Sequence, residues 1–274
     1  YGDYLEQLTY PTRPHDAPGD FGFDTSSFAW SNFGRGESSY NAYLRIDDGA
    51  PTEATDYAPE AFTDRAITFL TGAPEPWFVY LPLHLVHTPY HPPPRHLLPD
   101  GPSEGGARVR MGMMLRAADT LVGRLLDAIP ADQRDHTTII LLGDNGPADE
   151  AVPPAIPRDR AKLTVYEGGL RVPLVVHSPL VAQPGATSSI LVDHIDVFAP
   201  LADLAQVPLP PAETDAIQAR SLLPALLDPT APIRPHSYAE TLPERRVFRW
   251  LDGRFLSDAG WLRAVRDDEL KLVR

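Results

Sequence analysis

Three features of this sequence predict an α/β fold with a mainly parallel central sheet flanked by helices. Short apolar runs of strand length recur along the chain, the clearest being Trp77–Leu81 and Thr137–Leu142. Segments with helical apolar spacing precede them, which gives the alternation of strand and helix that builds such sheets. From Ser237 onward the texture changes to short segments rich in Arg, Asp and aromatic residues, ending in Leu270–Arg274. That change predicts the start of a small antiparallel subdomain, so the chain divides into a main domain over residues 1–235 and a C-terminal subdomain over 236–274.

The elements follow in order. Residues 1 to about 57 are rich in Gly, Ser, Asp and aromatics with little periodicity, and read as a long irregular covering segment. Phe62, Ala66, Phe69 and Leu70 fall at i, i+4, i+7 and i+8, one face of a helix over Pro59–Leu70. Trp77–Leu81 then reads as a buried strand. Met114, Ala118, Leu121, Leu125 and Ala128 mark a stronger second helix, with Arg116, Arg124 and Asp127 elsewhere on its surface. Thr137–Leu142 and Val172–Val176 are further strands, and Ile195–Ala205 is a further helix. Proline clusters at 92–94, 153–154, 208–211 and 229–235 punctuate the connections.

Composition limits the function. Apolar residues make up 43% and charged residues 22% of the 274, which is ordinary for a globular chain. No run of about 20 apolar residues is present to span a membrane. The net charge of −13 argues against a nucleic-acid partner, although a local pocket can still be positive for a small anion. The absence of cysteine removes disulfides, thiolate metal sites and thiol nucleophiles together. The chain opens on Tyr1 without a basic-then-apolar leader, so the start reads as a cut and any export signal is expected upstream.

Ligands of open α/β sheets bind beyond the carboxyl ends of the strands. Past the first strand stand His84, His87, Thr88, Pro89 and His91; past the second stand Gly143, Asp144, Asn145 and Gly146. The two strands are expected to deliver these groups to one sheet edge. Asp144 and Asn145 offer a carboxylate and an amide oxygen, donors that suit calcium or magnesium, and they equally suit a plain Asp-Asn-Gly turn. A shell of about six oxygens would need further ligands. His87 is either a structural histidine of a proline-rich loop or a proton donor near an anionic ester, and spacing does not separate it from His84 or His91. Lys162 is either a solvated loop charge or a point charge for anionic oxygens.

The stretch Lys162-Leu163-Thr164-Val165-Tyr166-Glu167-Gly168-Gly169-Leu170-Arg171-Val172-Pro173 resembles a signature of the type I sulfatases, in which a lysine leads into Tyr-Glu-Gly-Gly-x-Arg-x-Pro. Other features occur in that family's order: Gly22-Phe23-Asp24, Phe78–Pro82 leading to His87-Thr88-Pro89, Asp119, Asp144-Asn145-Gly146 and His194–Phe198. The resemblance covers roughly residues 22–274. It implies an alkaline phosphatase-like α/β fold and hydrolysis of sulfate monoesters, aryl or carbohydrate. It further implies that Asp144 and Asn145 are metal ligands, usually to calcium, and that His87 and Lys162 contact the sulfate and help the leaving oxygen depart.

The departures also follow from the resemblance. The family nucleophile is a Cys or Ser in Cys/Ser-x-Pro-x-Arg, converted to formylglycine, and no such motif is present. Thr9-Tyr10-Pro11-Thr12-Arg13 matches it only superficially, with threonine in the wrong place and no room upstream for the family's paired aspartates. The Gly-Lys-x-His segment is absent, and Ala199-Pro200 replaces the usual Pro-Thr. The expectation is therefore a fragment, inactive by itself, whose formylglycine lies in a missing N-terminal segment. Two alternatives accompany it: phosphate or phosphonate ester hydrolysis on the same scaffold, and a non-catalytic paralogue used as a binding module. Substrate identity, compartment and oligomeric state are not legible in the sequence.

Overall fold

The computed structural model describes residues 18–30, 33, 39–98, 104–208, 218–241 and 262–274. The Thr9–Arg13 stretch lies outside the described residues. The chain divides into two compact units, Tyr1–Arg134 and Asp135–Arg274.

The first unit opens with a three-stranded antiparallel sheet in the order β1 (Ser27–Ala29), β2 (Tyr43–Asp47), β3 (Ala50–Ala54). This corrects the expectation of an irregular segment through residue 57. The signal that reveals it is Asp48-Gly49, a two-residue loop in which both residues have positive φ, 48° and 85°. Such a loop matches the twist of a hairpin. Asp48 is further fixed because its Oδ1 accepts from the Ser26 amide at 2.6 Å.

Helix α1 (Ala58–Gly72) starts with proline and Glu60 in its first turn, both suited to a helix N-terminus, and stops before Pro74. Helix α2 (Ala107–Ala128) buries Met113, Met114, Ala117 and Leu121. Both helices match the apolar periodicity, and they pack together, with Arg124 of α2 donating to Glu60 of α1 at 2.8 Å. Phe33, Tyr40, Tyr43, Tyr57 and Phe62 complete an aromatic core in this unit. Into that core the chain inserts the ring of His84, 4.3 Å from Phe33 and 5.7 Å from Phe62.

Residues 77–84 form no ladder among the described residues, contrary to the expected buried strand. Phe78 is 52% and Tyr80 69% exposed. An apolar run becomes a buried strand only when neighbours supply the backbone bonds and cover both faces.

In the second unit β4 (Ile139–Leu142) pairs antiparallel with β5 (Leu174–His177), Leu141 standing opposite Val175. Every ladder among the described residues is antiparallel, including the C-terminal sheet of β6 (Ser237–Thr241), β7 (Leu262–Arg266) and β8 (Lys271–Val273). Short helices α3 (Glu167–Leu170), α4 (Phe198–Leu204) and α5 (Leu223–Leu227) occupy the connections. The helix expected over 195–205 is a 3-10 turn, His194–Val197, running into α4.

One buried carboxylate organises this unit. Asp196 is fully buried and accepts from the amides of Asp193 and Arg220, each at 2.7 Å, and from Arg234 Nε at 2.8 Å and Nη2. Asp193 caps the same turn and pairs with Arg234 Nη1 at 2.8 Å. A charge removed from water is held only when its partners are complete, so losing one partner is costly.

Two predictions follow from these cores. Asp196→Ala leaves the Arg234 guanidinium without its buried acceptor, and urea unfolding should show a loss of about 3–5 kcal/mol. A change below about 1 kcal/mol would refute this role. His84 supplies the second test, because burial first and the charge of His87 second push its imidazole down from 6.5 to about 4. An unfolded chain then binds a proton that the folded one refuses, so this stability is complete above pH 6.5 and is lost as pH falls toward 4. Between those limits the wild type should lose on the order of 1–3 kcal/mol more than His84→Phe does, measured by urea titration at each pH.

Candidate functional site

The loop after β4 is built against the loop before α3 by backbone alone. Gly143 N donates to Pro173 O at 3.1 Å, Gly146 N to Gly169 O at 2.9 Å, and Lys162 N to Pro147 O at 3.0 Å. At Gly146 a Cβ would sit 1.8 Å from the Gly168 carbonyl oxygen, so only glycine permits the approach. Gly169 is as constrained, since a Cβ there would meet the carbonyl oxygens of Ala161 and Thr164 at 2.6 Å. The Gly-Gly pair thus serves close packing of backbone against backbone. His194 adds a fourth tie, its Nε2–H donating to Gly143 O at 2.8 Å.

This scaffold brings Asp144, Asn145 and Lys162 into adjoining loops of one unit. Asn145 commits Nδ2 to Gly146 O at 2.9 Å, which leaves its Oδ1 without a partner among the described residues. Asp144 accepts from the Asn145 amide through Oδ1 at 2.8 Å, and its Oδ2 is unpartnered among the described residues. The side chain of Asp144 is exposed and that of Asn145 half-buried. The pair therefore presents two hard oxygen donors, a set that fits calcium or magnesium and not a soft metal. Among the described residues no group of three or more His, Cys, Asp or Glu is arranged to hold a metal ion. Lys162 is half-buried, and its ammonium has no hydrogen-bond or ion-pair partner among the described residues.

The three histidines left open by sequence now differ. His91 is used structurally: Nδ1–H donates to Pro89 O at 3.0 Å, and Nε2 accepts from the Tyr57 hydroxyl at 3.0 Å. Burial holds its imidazole below the usual value, hence neutral, and pushes the Tyr57 hydroxyl up, hence protonated. His84 is sequestered in the aromatic core, with Nδ1 buried and unpaired. His87 differs from both. Its Nδ1–H donates to Thr88 O at 2.7 Å, and its Nε2 has no partner among the described residues. Its backbone is fixed by its amide donating to His84 O at 2.8 Å and by the buried Tyr40 hydroxyl, 2.7 Å from His87 O and 2.9 Å from His84 O. His87 is the histidine whose unpaired nitrogen is not buried. It lies in the first unit, whereas Asp144, Asn145 and Lys162 lie in the second.

Residue type alone does not single out Glu167. Its carboxylate accepts from Lys271 Nζ and Arg266 Nη1, each at 2.7 Å. Burial works to raise this carboxyl, but Lys271 and then Arg266 outweigh it and hold it below the usual range. No local pattern could have shown this, because the partners lie 99 and 104 residues away.

Comparison with known proteins places this arrangement. A family model described as Sulfatase matches residues 7–207. An N-acetylgalactosamine-6-O-sulfatase of Bacteroides thetaiotaomicron is 32% identical over 166 residues, 55% of this chain and 31% of the relative. Arylsulfatase G of Homo sapiens is 31% identical over 167 residues, 55% of this chain and 31% of the relative. The chain thus spans about a third of the length of the curated relatives it matches. Among solved structures, that of Ps i-CgsB in complex with k-i-k-neocarrahexaose has a TM-score of 0.77 at 21% identity, covering 95% of this chain and 59% of that one. That of BT4656 in complex with its substrate D-glucosamine-2-N,6-O-disulfate has a TM-score of 0.68 at 19% identity, covering 92% and 67%. These likenesses establish the alkaline phosphatase-like α/β fold. With its Lys162–Pro173 signature inside a match over most of its length, the chain belongs to the sulfatase family.

Proposed function

We propose that these residues form part of the active site of a sulfate-ester hydrolase that acts on a sulfated carbohydrate or an aryl sulfate. The observation that carries this reading is the bond from Lys162 N to Pro147 O, which brings the backbone of Lys162, whose ammonium is uncommitted among the described residues, against the loop of Asp144 and Asn145. An unpaired cation next to uncommitted oxygen ligands is an arrangement for an anion held at a metal. The named sulfatase relatives, and the solved relative bound to a disulfated glucosamine, support the sulfate ester as that anion.

In this mechanism Lys162 contacts the sulfate oxygens as a compact point charge and stabilises the charge that grows as the ester S–O bond breaks. His87 gives its Nε2 proton to the departing oxygen while in the imidazolium form, with a proton on each ring nitrogen, and is left neutral. The Thr88 carbonyl supports this role, because it holds a proton on Nδ1 and leaves Nε2 as the working atom. Asp144 and Asn145 are the residues that would hold calcium, or magnesium. When bound, the ion supplies fixed positive charge for the sulfate, and formylglycine, expected outside these residues, supplies the attacking oxygen.

The same reading extends to the sheet. Leu141 and Val175, directly opposite each other on β4 and β5, are 48% and 55% exposed. Such an apolar pair supports β4–β5 as part of a wider, mainly parallel sheet.

Two measurements on the complete gene product test the proposal. Lys162→Ala should lower kcat/KM for a sulfate ester by about 100- to 1000-fold, and His87→Ala should cost more with a sugar sulfate than with nitrophenyl sulfate, whose leaving group needs no proton. Wild-type rates in Lys162→Ala, or a preference for phosphate monoesters, would sink the reading. Chelation should abolish turnover and calcium restore it, with Asn145→Ala raising the calcium concentration needed. Activity indifferent to chelation would remove Asp144 and Asn145 from the site.

A further inference from the structure

We propose that the C-terminal sheet is a positioning device for Lys162, acting through the ion-pair clamp on Glu167. Two ties to this sheet follow Lys162 in the chain. One residue on, Leu163 has φ of 70°, a left-handed conformation that a bulky side chain adopts only when its surroundings impose it. The carbonyl of that residue accepts from the Thr241 hydroxyl of β6 at 3.2 Å. Five residues on, Glu167 is gripped by Arg266 of β7 and Lys271 of β8. Between these ties the Thr164 hydroxyl closes the loop by donating to Ala161 O at 2.7 Å.

The basic residues are distributed to match. Only two of the 24 are lysines, Lys162 and Lys271, and both belong to this assembly. Lys271 is paired, whereas Lys162 has no partner among the described residues. The sheet therefore fixes the backbone that carries Lys162.

This inference rests on the reading of Lys162 as the sulfate contact, but its test needs no substrate. In the complete gene product, carbon-13 labelled lysine gives a Cε–Hε cross-peak for Lys162, assigned through Lys162→Arg, and trace acetylation followed by peptide mass spectrometry gives the rate at Lys162 against a reference amine. In Lys271→Met and Glu167→Gln the Lys162 peak should shift and its acetylation rate rise by at least about threefold, the size an ordinary ion pair gives. Lys271→Arg should restore both, because it keeps the ion pair. The two disruptive variants act on opposite partners of one clamp, so failure of one to fold leaves the other as the test. A purely structural clamp would lower the melting temperature and leave the peak and the rate unmoved, and that result overturns the proposal. A coupled Lys162 in a complete protein that does not hydrolyse sulfate esters would overturn the proposed function alone.

Discussion

The close approach of two glycine-bearing loops is the constraint on which the second unit depends. Where Gly146 meets the carbonyl oxygen of Gly168, a single extra carbon would lie at 1.8 Å, well inside any tolerated contact. Because the loops are this close, their backbones bond directly, and the residue at 162 enters the neighbourhood of Asp144 and Asn145 through its own amide. The side chains are then released from structural work. Asn145 holds its carboxamide in place with nitrogen and keeps its oxygen available.

Around that contact lies a graded electrostatic support. The innermost layer is the fully buried Asp196, satisfied by two amides and the Arg234 guanidinium. It stabilises the turn that presents His194 to Gly143 O, so a buried charge is transmitted to the site as the position of a carbonyl. The outer layer is the half-exposed clamp on Glu167, where each pair is individually weak in water but two cations share one carboxylate. The first unit solves a similar problem without charge, using the buried Tyr40 hydroxyl to secure the turn of His84 and His87.

Helical periodicity transferred well from sequence to structure. Phe62 and Leu70 in α1, and Met114 and Leu121 in α2, are buried as their spacing requires. The strands at 139–142 and 174–177 were equally visible as β-branched and apolar runs. Trp77–Leu81 misled because an apolar run states what a segment can bury, and not whether neighbours are there to bury it. The hairpin at Asp48-Gly49 was legible in principle, since Asp-Gly between alternating residues is a strong turn signal, but the surrounding Gly- and Ser-rich texture concealed it.

By itself the sequence determined the family, through one long signature around Lys162, and it determined which residue types are available for chemistry, through the absence of cysteine and the presence of Asp144-Asn145. Both are local in the chain, and local pattern is what a single sequence expresses. Only the tertiary structure decided which of three histidines keeps an unpaired nitrogen outside the aromatic core, because that depends on whether a carbonyl, a tyrosine hydroxyl or an aromatic ring stands beside each one. It alone decided that Glu167 belongs to Lys271 and Arg266, since a bond between residues some hundred positions apart exists only once the chain has folded back on itself.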